Sequence, residues 1–261
     1  MRLEKDSLGE LQVPEQAYYG VQTARAVENF PISGQRAHPD LVWATAAIKK
    51  AAALVNSELG LIRIEPARAI VQAAEEIMAG RWQDQLVVDV FQAGAGTSHH
   101  MNMNEVIANR AIEILGGQRG QYQLVHPNDH VNFGQSTNDV FPAAMRLAVL
   151  KMLPPFVSAL DLLAAAFKEL GKKFEHVIKS GRTHLQDAVP VTVGQEFAAY
   201  GKSLEKARIA IEQAAQEFKV LGIGGSAAGT GLNSDPRYRF RMVEVLSDLV
   251  GDELNAGDDM I

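Results

Sequence analysis

Three polar loops in this 261-residue chain carry hydroxyl and amide side chains shortly before predicted helices. They are Gly96-Thr97-Ser98, Ser136-Thr137-Asn138 and Thr183-His184. Such side chains commonly cap helix N-termini, which is the ordinary structural explanation for any one of these loops. The alternative is an anion site, because helix N-termini offer free N–H groups and partial positive charge. If the three loops converge, they could bind one small polyanion such as a dicarboxylate.

His184 lies in the stretch Gly181–Pro190, which precedes a long predicted helix. A lone histidine more often holds a loop in place than performs chemistry. Beside Thr183 and Gln186 this one could also act as an acid, a base or a carboxylate partner. The residues alone favour neither role.

A metal site is the chemical alternative. His126 and His130 are four residues apart, and His99 and His100 are adjacent. Pro127 disfavours a helix across 126–130, and adjacent histidines on a helix point in different directions. We therefore expect no metal. The glycine-rich run 222–231 lacks the Gly-Lys-Ser/Thr ending of a phosphate loop and is expected to provide close packing.

Apolar periodicity predicts an all-α protein with no convincing set of strands. The predicted helices cover about 41–59, 66–78, 103–115, a long segment to 174 that contains Pro154-Pro155, a heptad seam from 197 to 221, and 236–250. We expect a kink at the two prolines rather than two separate elements. The apolar run 87–91 fits either a strand or a buried helix.

The composition restricts the function classes. A net charge of −6 argues against a nucleic-acid surface, and the absence of cysteine excludes disulfides and thiol catalysis. The charged N-terminus does not resemble a signal peptide, and we expect no apolar run to reach the length of a membrane span. These features favour a cytoplasmic protein with neither a membrane nor a nucleic acid as partner.

Four stretches resemble the fumarase/aspartase superfamily: 94–105, 127–139, 181–196 and 224–236. The resemblance implies a mostly helical N-terminal domain, 1–135, followed by part of a long-helix bundle domain, 136–261. Tyr18–Thr23 and Asn128–Asn132 are similar to the aspartase branch. Met101–Glu105 and Val125–Asp129 are more similar to class II fumarase. We favour the aspartase branch, with elimination of ammonia from aspartate, and keep fumarate hydration as the alternative.

The resemblance also implies a mechanism and a set of site residues. A serine base would remove a proton beside one carboxylate, and hydroxyl and amide donors would hold the resulting aci-carboxylate dianion. The implied carboxylate donors are Thr97, Ser98, Ser136, Thr137 and Asn138. The implied catalytic pair at the other end of the substrate is Thr183 and His184, and the implied secondary carboxylate site is His126, Asn128 and Asp129. No cofactor is implied, and the expected assembly is a homotetramer with shared sites.

Two departures from the family pattern stand out. His100 occupies a position where the family usually has asparagine. The family's mobile loop, Gly-Ser-Ser-x-Met-Pro-x-Lys-x-Asn-Pro, which supplies the base serine, has no match in these 261 residues. We therefore expect the chain to be a portion of a longer lyase that does not turn over substrate by itself. The alternative is a non-catalytic helical assembly protein.

Overall fold

The computed structural model describes residues 1–261, and its elements follow in chain order. A hairpin of β1 (Arg2–Asp6) and β2 (Gly9–Val13) is followed by α1 (Val21–Asn29), α2 (Pro39–Glu58), α3 (Ile64–Met78), α4 (Thr97–Ile114) and α5 (Thr137–Lys173). A second hairpin, β3 (Ile178–Thr183) and β4 (Gln186–Thr192), leads to α6 (Val193–Ala215). The chain ends with β5 (Val220–Leu221), α7 (Tyr238–Val250) and β6 (Asn255–Ala256).

Packing divides the chain into two compact units. Unit 1 contains Met1–Val149 and Lys219–Ile261, and unit 2 contains Leu150–Phe218. Helix α5 begins in unit 1 and ends in unit 2. This division follows spatial packing, and the division of the chain at residue 135 stays a prediction.

The core of unit 1 is formed by α2, α3 and α4, and the all-α class is confirmed. Alanine favours helix and allows close approach, and the alanines of α2 are almost all fully buried. Their partners include Ile70, Ile77, Met103 and Ile107. Helix α2 starts with Pro39 in its first turn, and His38 Nδ1 accepts a hydrogen bond from Asp40 N at 3.2 Å. The predicted helix over 41–59 is thus confirmed.

Strands are present, but they are short and never form a common sheet. Each of the three sheets has two strands: β1 with β2, β3 with β4, and β5 with β6. The run 87–91 is neither a strand nor a helix. Its Asp89 forms one isolated bridge with Arg36, and its carboxylate accepts hydrogen bonds from the backbone of Ser33 and Gly34. A buried carboxylate with those partners fixes the loop locally.

The predicted seam from 197 to 221 is too long. Helix α6 ends at Ala215, and a 3₁₀ turn over Gln216–Lys219 leads into β5. Leu221 is fully buried and pairs with Ala256 in β6. Burial and backbone pairing of Leu221 therefore stabilise this segment more than a further turn of helix α6, which is largely exposed, would do.

In unit 2, α5 and α6 approach closely where glycine replaces a side chain. A Cβ on Gly194 would lie 2.4 Å from the carbonyl oxygen of Gly171. Phe167 also stacks on Phe197, with ring centroids 6.0 Å apart. Gly171 is therefore part of the close contact between α5 and α6.

Helix α5 is a single helix of 37 residues that includes both prolines, so the predicted long helix is confirmed. The kink at Pro154-Pro155 stays a prediction. Contrary to the sequence analysis, α5 is long and apolar enough, by length and composition alone, to cross a membrane. A core helix of a soluble protein meets the same criterion. The segment was missed because its charges and prolines interrupt the apolar run without interrupting the helix.

Candidate functional site

The N-terminal turns of α4 and α5 lie against each other in unit 1. A Cβ on Gly96, the residue before α4, would lie 2.4 Å from the Phe141 ring of α5. Gly96 has φ of +80°, which favours glycine. The rings of His99 and Phe141 also meet edge to face at 5.9 Å. The structure therefore brings together two of the three predicted polar loops.

The two helix starts differ in how they are capped. In α5 the Ser136 hydroxyl accepts a hydrogen bond from Asn138 N at 3.2 Å, and Asp139 Oδ1 accepts one from Ser136 N at 3.0 Å. This reciprocal cap stabilises the first turn of α5 and leaves the Ser136 O–H available as a donor. In α4 the N-cap residue Gly96 has no side chain, and Gln92 Oε1 accepts a hydrogen bond from the N–H of His99 at 2.5 Å. Thr97 is exposed and Ser98 half-buried at that helix start, and neither side chain provides the cap.

Behind these turns lies a fully buried lysine that the sequence analysis did not identify. Lys49 of α2 is 0% exposed. Its Nζ lies 2.5 Å from His100 Nε2, 2.9 Å from Asn132 Oδ1 and 2.9 Å from Gln135 Oε1. On the opposite side of the imidazole, His100 Nδ1 lies 2.8 Å from the Thr137 hydroxyl. A hydrogen-bonded chain therefore runs from the core to a predicted carboxylate donor.

Burial shifts the pKa values of this cluster in consistent directions. Desolvation lowers the pKa of Lys49 well below its usual value, although the Asp139 charge acts to raise it. Desolvation, reinforced by the Lys49 charge, lowers the pKa of His99 to about 4 and that of His100 well below the ordinary range. Both imidazoles are therefore neutral near pH 7.

Asp139 connects the start of α5 to the glycine-rich run. Its Oδ2 accepts hydrogen bonds from Gly224 N and Ser226 N, each at 3.0 Å. The neighbouring Asn138 side chain donates to the Ala227 carbonyl at 2.8 Å. Burial raises the pKa of Asp139, while these backbone donors and the Lys49 charge oppose the rise. The glycine-rich run therefore packs against the candidate site and is held by a carboxylate.

The predicted secondary site lies on a π-helical turn, Pro127–Val131. The expectation that Pro127 prevents a helix here was wrong, because proline at the first position has no N–H to lose. His126 Nδ1 accepts from the N–H groups of Asn128 and Asp129, each at 3.2 Å. His130 Nδ1 accepts from His126 N at 2.8 Å. The ring nitrogens at this turn therefore serve as backbone caps.

No group of three or more His, Asp or Glu residues in residues 1–261 is arranged to hold a metal ion. His99 and His100 are buried, and each faces a hydroxyl rather than another imidazole. His99 Nε2 lies 3.1 Å from the Thr45 hydroxyl, which donates to the Leu41 carbonyl at 2.8 Å. Thr45 therefore accepts from His99, which fixes the proton on Nε2.

The third predicted loop has a different structure from the other two. Thr183 ends β3, and the turn is made by His184 and Leu185, with φ of +49° and +60°. The loop was expected shortly before a helix, and strand β4, which pairs with β3, lies between it and α6. Two consecutive residues at positive φ are typical of a tight hairpin turn. Thr183 and His184 are exposed in unit 2, whereas the other predicted site residues belong to unit 1.

Lys49, Asn132 and Gln135 were missed as site residues for a clear reason. Lys49 is one of two adjacent lysines on an apolar helix, and periodicity does not show which lysine faces the core. The only signal was Thr45, four residues earlier and on the same helix face as Lys49. Lys50, by contrast, pairs with Glu75 at 2.8 Å.

The buried histidines carry a testable pH dependence. The pKa of His99 is about 4 in the folded chain and 6.5 for the free side chain. The unfolded chain therefore binds more protons between these values, and stability falls as the pH falls through that window. We expect the free energy of unfolding to be about 2 kcal/mol lower at pH 5 than at pH 7 from His99 alone. His100 adds to the loss.

Urea unfolding at the two pH values measures this effect. His99→Gln keeps a donor for Thr45 and removes the titrating ring, so its stability should change less with pH than that of the wild type. Equal pH dependence in the two proteins would contradict the assignment.

Comparisons with known proteins agree with this architecture. The chain matches the family described as "Lyase" over residues 9–260. It is 48% identical to the aspartate ammonia-lyase of Bacillus subtilis (strain 168) over 260 residues, which is 100% of this chain and 55% of that protein. It is 51% identical to the class II fumarate hydratase of Halobacterium salinarum over 259 residues, 99% of this chain and 55% of that protein.

A solved structure also matches. The fumarate lyase:delta crystallin from Brucella melitensis, in its cobalt-bound crystal structure, superposes with a TM-score of 0.94 at 49% identity. The match covers 99% of this chain and 57% of that chain. The chain thus spans about half the length of the curated relatives it matches.

Proposed function

We propose that this chain, which belongs to the lyase family, forms part of an enzyme that reversibly eliminates ammonia from L-aspartate to give fumarate. The observation that carries the proposal is the pair of adjacent helix starts. At one, the Thr97 and Ser98 side chains are not used as caps, and the other is backed by the buried lysine cluster. Free N–H groups and hydroxyls at such starts suit a carboxylate that gains charge during reaction. The name of the Bacillus subtilis relative supports aspartate as the substrate.

In the proposed reaction, a base removes the proton from the carbon beside the β-carboxylate, and ammonia leaves. The two electrons of the broken C–H bond pass into an aci-carboxylate dianion and then form the double bond of fumarate. Thr97 and Ser98 at the start of α4 would donate hydrogen bonds to the dianion. Ser136 and Thr137 at the start of α5 would do the same, with Asn138 beside them. Such preorganised donors stabilise charge without reorganisation during the reaction. Thr183 and His184 would contact the other end of the substrate.

Fumarate hydration is the second candidate, supported by the 51% identity to a class II fumarate hydratase. The proposed secondary carboxylate site at His126, Asn128 and Asp129 belongs to this alternative. The two reactions share the dianion and differ in the leaving group. Donors to the shared carboxylate therefore do not discriminate between them.

The deciding experiment follows fumarate by its ultraviolet absorbance in the enzyme that carries this chain. L-Aspartate and L-malate are supplied in turn at equal concentration. Faster turnover of L-aspartate supports the proposal, and faster turnover of L-malate favours the alternative. If neither is turned over when the family's base-bearing loop is present, the chain is a helical assembly protein and the proposal fails.

Assembly into a homotetramer with shared sites is part of the proposal. Unit 2 leaves large apolar side chains exposed along α5 and α6: Met152, Phe156, Leu162, Leu163, Tyr200 and Ile209. Exposed apolar stripes of this kind usually mark interaction surfaces. Other helices, some of them from neighbouring copies, would cover the stripe. A cytoplasmic location and a small dicarboxylate substrate complete the proposal.

Changing Leu204 of α6 to Asp should disrupt this assembly. Leu204 is half-buried within unit 2, and further cover by a neighbouring helix would bury an unpaired charge in the variant. We expect native mass spectrometry to show tetramer for the wild type and smaller species for Leu204→Asp. The control is Lys206→Asp on the exposed side of the same helix. A well-folded wild-type monomer would contradict the proposal.

A further inference from the structure

The buried lysine cluster has a fixed orientation. The Asn132 side-chain amide donates through its nitrogen to the Gln135 carbonyl at 3.3 Å. The Gln135 side-chain nitrogen donates to the carbonyls of Val131 and Phe133, at 3.0 and 3.3 Å. Both amide oxygens therefore face Lys49 as acceptors. Only His100, the third partner, can either donate to Lys49 or accept from it.

Two complete arrangements of protons fit this geometry. With Lys49 as an ammonium, its three N–H groups serve the two amide oxygens and His100 Nε2. His100 Nδ1 then carries the proton and donates to the Thr137 oxygen, so the Thr137 O–H points elsewhere. With Lys49 as a neutral amine, His100 Nε2 donates to it, Nδ1 lacks a proton, and Thr137 must donate to Nδ1. Every buried polar atom is satisfied in both arrangements.

We propose that His100 is a positioning residue whose tautomer, set by Lys49, decides whether the Thr137 hydroxyl is free to donate to a bound carboxylate. This inference rests on the proposed function, in which Thr137 is a carboxylate donor. The ammonium arrangement frees the Thr137 proton for the ligand, and the neutral arrangement consumes it. The buried lysine thus acts on the ligand through the imidazole, without touching the ligand.

The arrangement also accounts for histidine in place of the asparagine usual in the family. Both polar atoms of an asparagine amide are at the δ position, so asparagine could contact Thr137 but has no atom at the place of Nε2. Histidine has a nitrogen at each place and therefore joins Thr137 to Lys49.

The charges around the cluster set the direction of the pH dependence. Lys49 from α2 faces His99 and His100 from α4 and feels Asp139 from α5. Asp139 in turn acts on the buried Tyr238 of α7. Burial lowers the pKa of Lys49 and the Asp139 charge opposes this. As pH rises through that lowered pKa, the ammonium is lost, the tautomer exchanges and carboxylate binding weakens.

The tautomer can be read without a ligand. Long-range ¹H–¹⁵N correlation spectra of the ¹⁵N-histidine-labelled chain show which ring nitrogen carries the proton, and His100→Asn assigns the signal. We expect Nδ1 to be protonated on the acid side of one transition and Nε2 on its alkaline side. A tautomer that stays the same across the whole pH range in which the chain is folded would overturn the proposal even if every variant below failed to fold.

Binding is then measured by calorimetry of the enzyme that carries this chain, with fumarate and succinate, across pH. We expect wild-type affinity to fall as the pH rises, over the same pH range as the tautomer change. Below that range, His100→Leu should bind about tenfold more weakly than wild type, the scale of one hydrogen bond. His100→Asn, which keeps a donor towards Thr137, should restore that affinity. Equal affinity of His100→Leu and wild type would overturn the proposal.

Lys49→Met should remove the fall in affinity with rising pH, because no amine remains to titrate. The matched control is Lys50→Met, whose lysine pairs with Glu75 instead, and this variant should keep the fall. If the affinity of Lys49→Met still falls as the pH rises, the proposed role of the lysine is wrong. Nδ1 protonation in a folded enzyme that carries this chain and binds neither dicarboxylate would refute the proposed function, while leaving the tautomer assignment in place.

Discussion

Thr137→Val is expected to lower kcat of the enzyme that carries this chain by about 10²–10³-fold, or about 2.7–4 kcal/mol of transition-state stabilisation. That is the usual scale for one preorganised donor to a developing anion. Thr137 is half-buried at the start of α5 and receives a hydrogen bond from His100 in the proposed arrangement. Valine is nearly isosteric, so the change removes the hydroxyl with little change of shape.

The measurement is kcat and KM for L-aspartate by fumarate absorbance. Thr137→Ser keeps the hydroxyl and should retain most of the rate, which separates loss of the donor from loss of packing. An unperturbed circular dichroism spectrum and melting temperature would show that Thr137→Val is folded. Wild-type kcat in folded Thr137→Val would remove Thr137 from the site.

Asp139→Ala is expected to destabilise unit 1 by about 3 kcal/mol or more. The carboxylate accepts hydrogen bonds from the backbone of Ser136, Gly224 and Ser226. Hydrogen bonds to a charged group contribute about 1.5–3 kcal/mol each, and unpaired buried donors are costly. The glycine-rich run would also lose its hydrogen bonds to the Asp139 side chain of α5.

Urea unfolding at neutral pH gives the free energy difference directly. Asp139→Asn keeps acceptor oxygen at one end of the side chain and should lie between Ala and wild type. Asp187→Ala, on the exposed strand β4, is the matched control and should change stability little. Wild-type stability of Asp139→Ala would mean that the three hydrogen bonds contribute nothing net.

Local sequence patterns predicted the helices well because apolar periodicity is a property of each segment by itself. Helix α2 is confirmed near its predicted ends, and α5 is confirmed as one long helix. The polar turns before α4 and α5 were also identified in advance, since cap-type residues before an apolar repeat are local signals. The all-α class followed from the same patterns, with the short hairpins missed because few residues form them.

Only the tertiary structure decided what lies behind those turns. Lys49 and Lys50 are indistinguishable in the sequence, yet one is fully buried against His100 and the other pairs with Glu75. Which lysine is desolvated depends on how α2 packs against residues more than 50 positions away along the chain, and no local pattern contains that information. The hairpin turn at His184 was not predicted for the same kind of reason, because the pairing of β3 with β4 determines where the turn lies. The sequence by itself determined the chemistry available at the helix starts, and packing determined which buried charge acts on it.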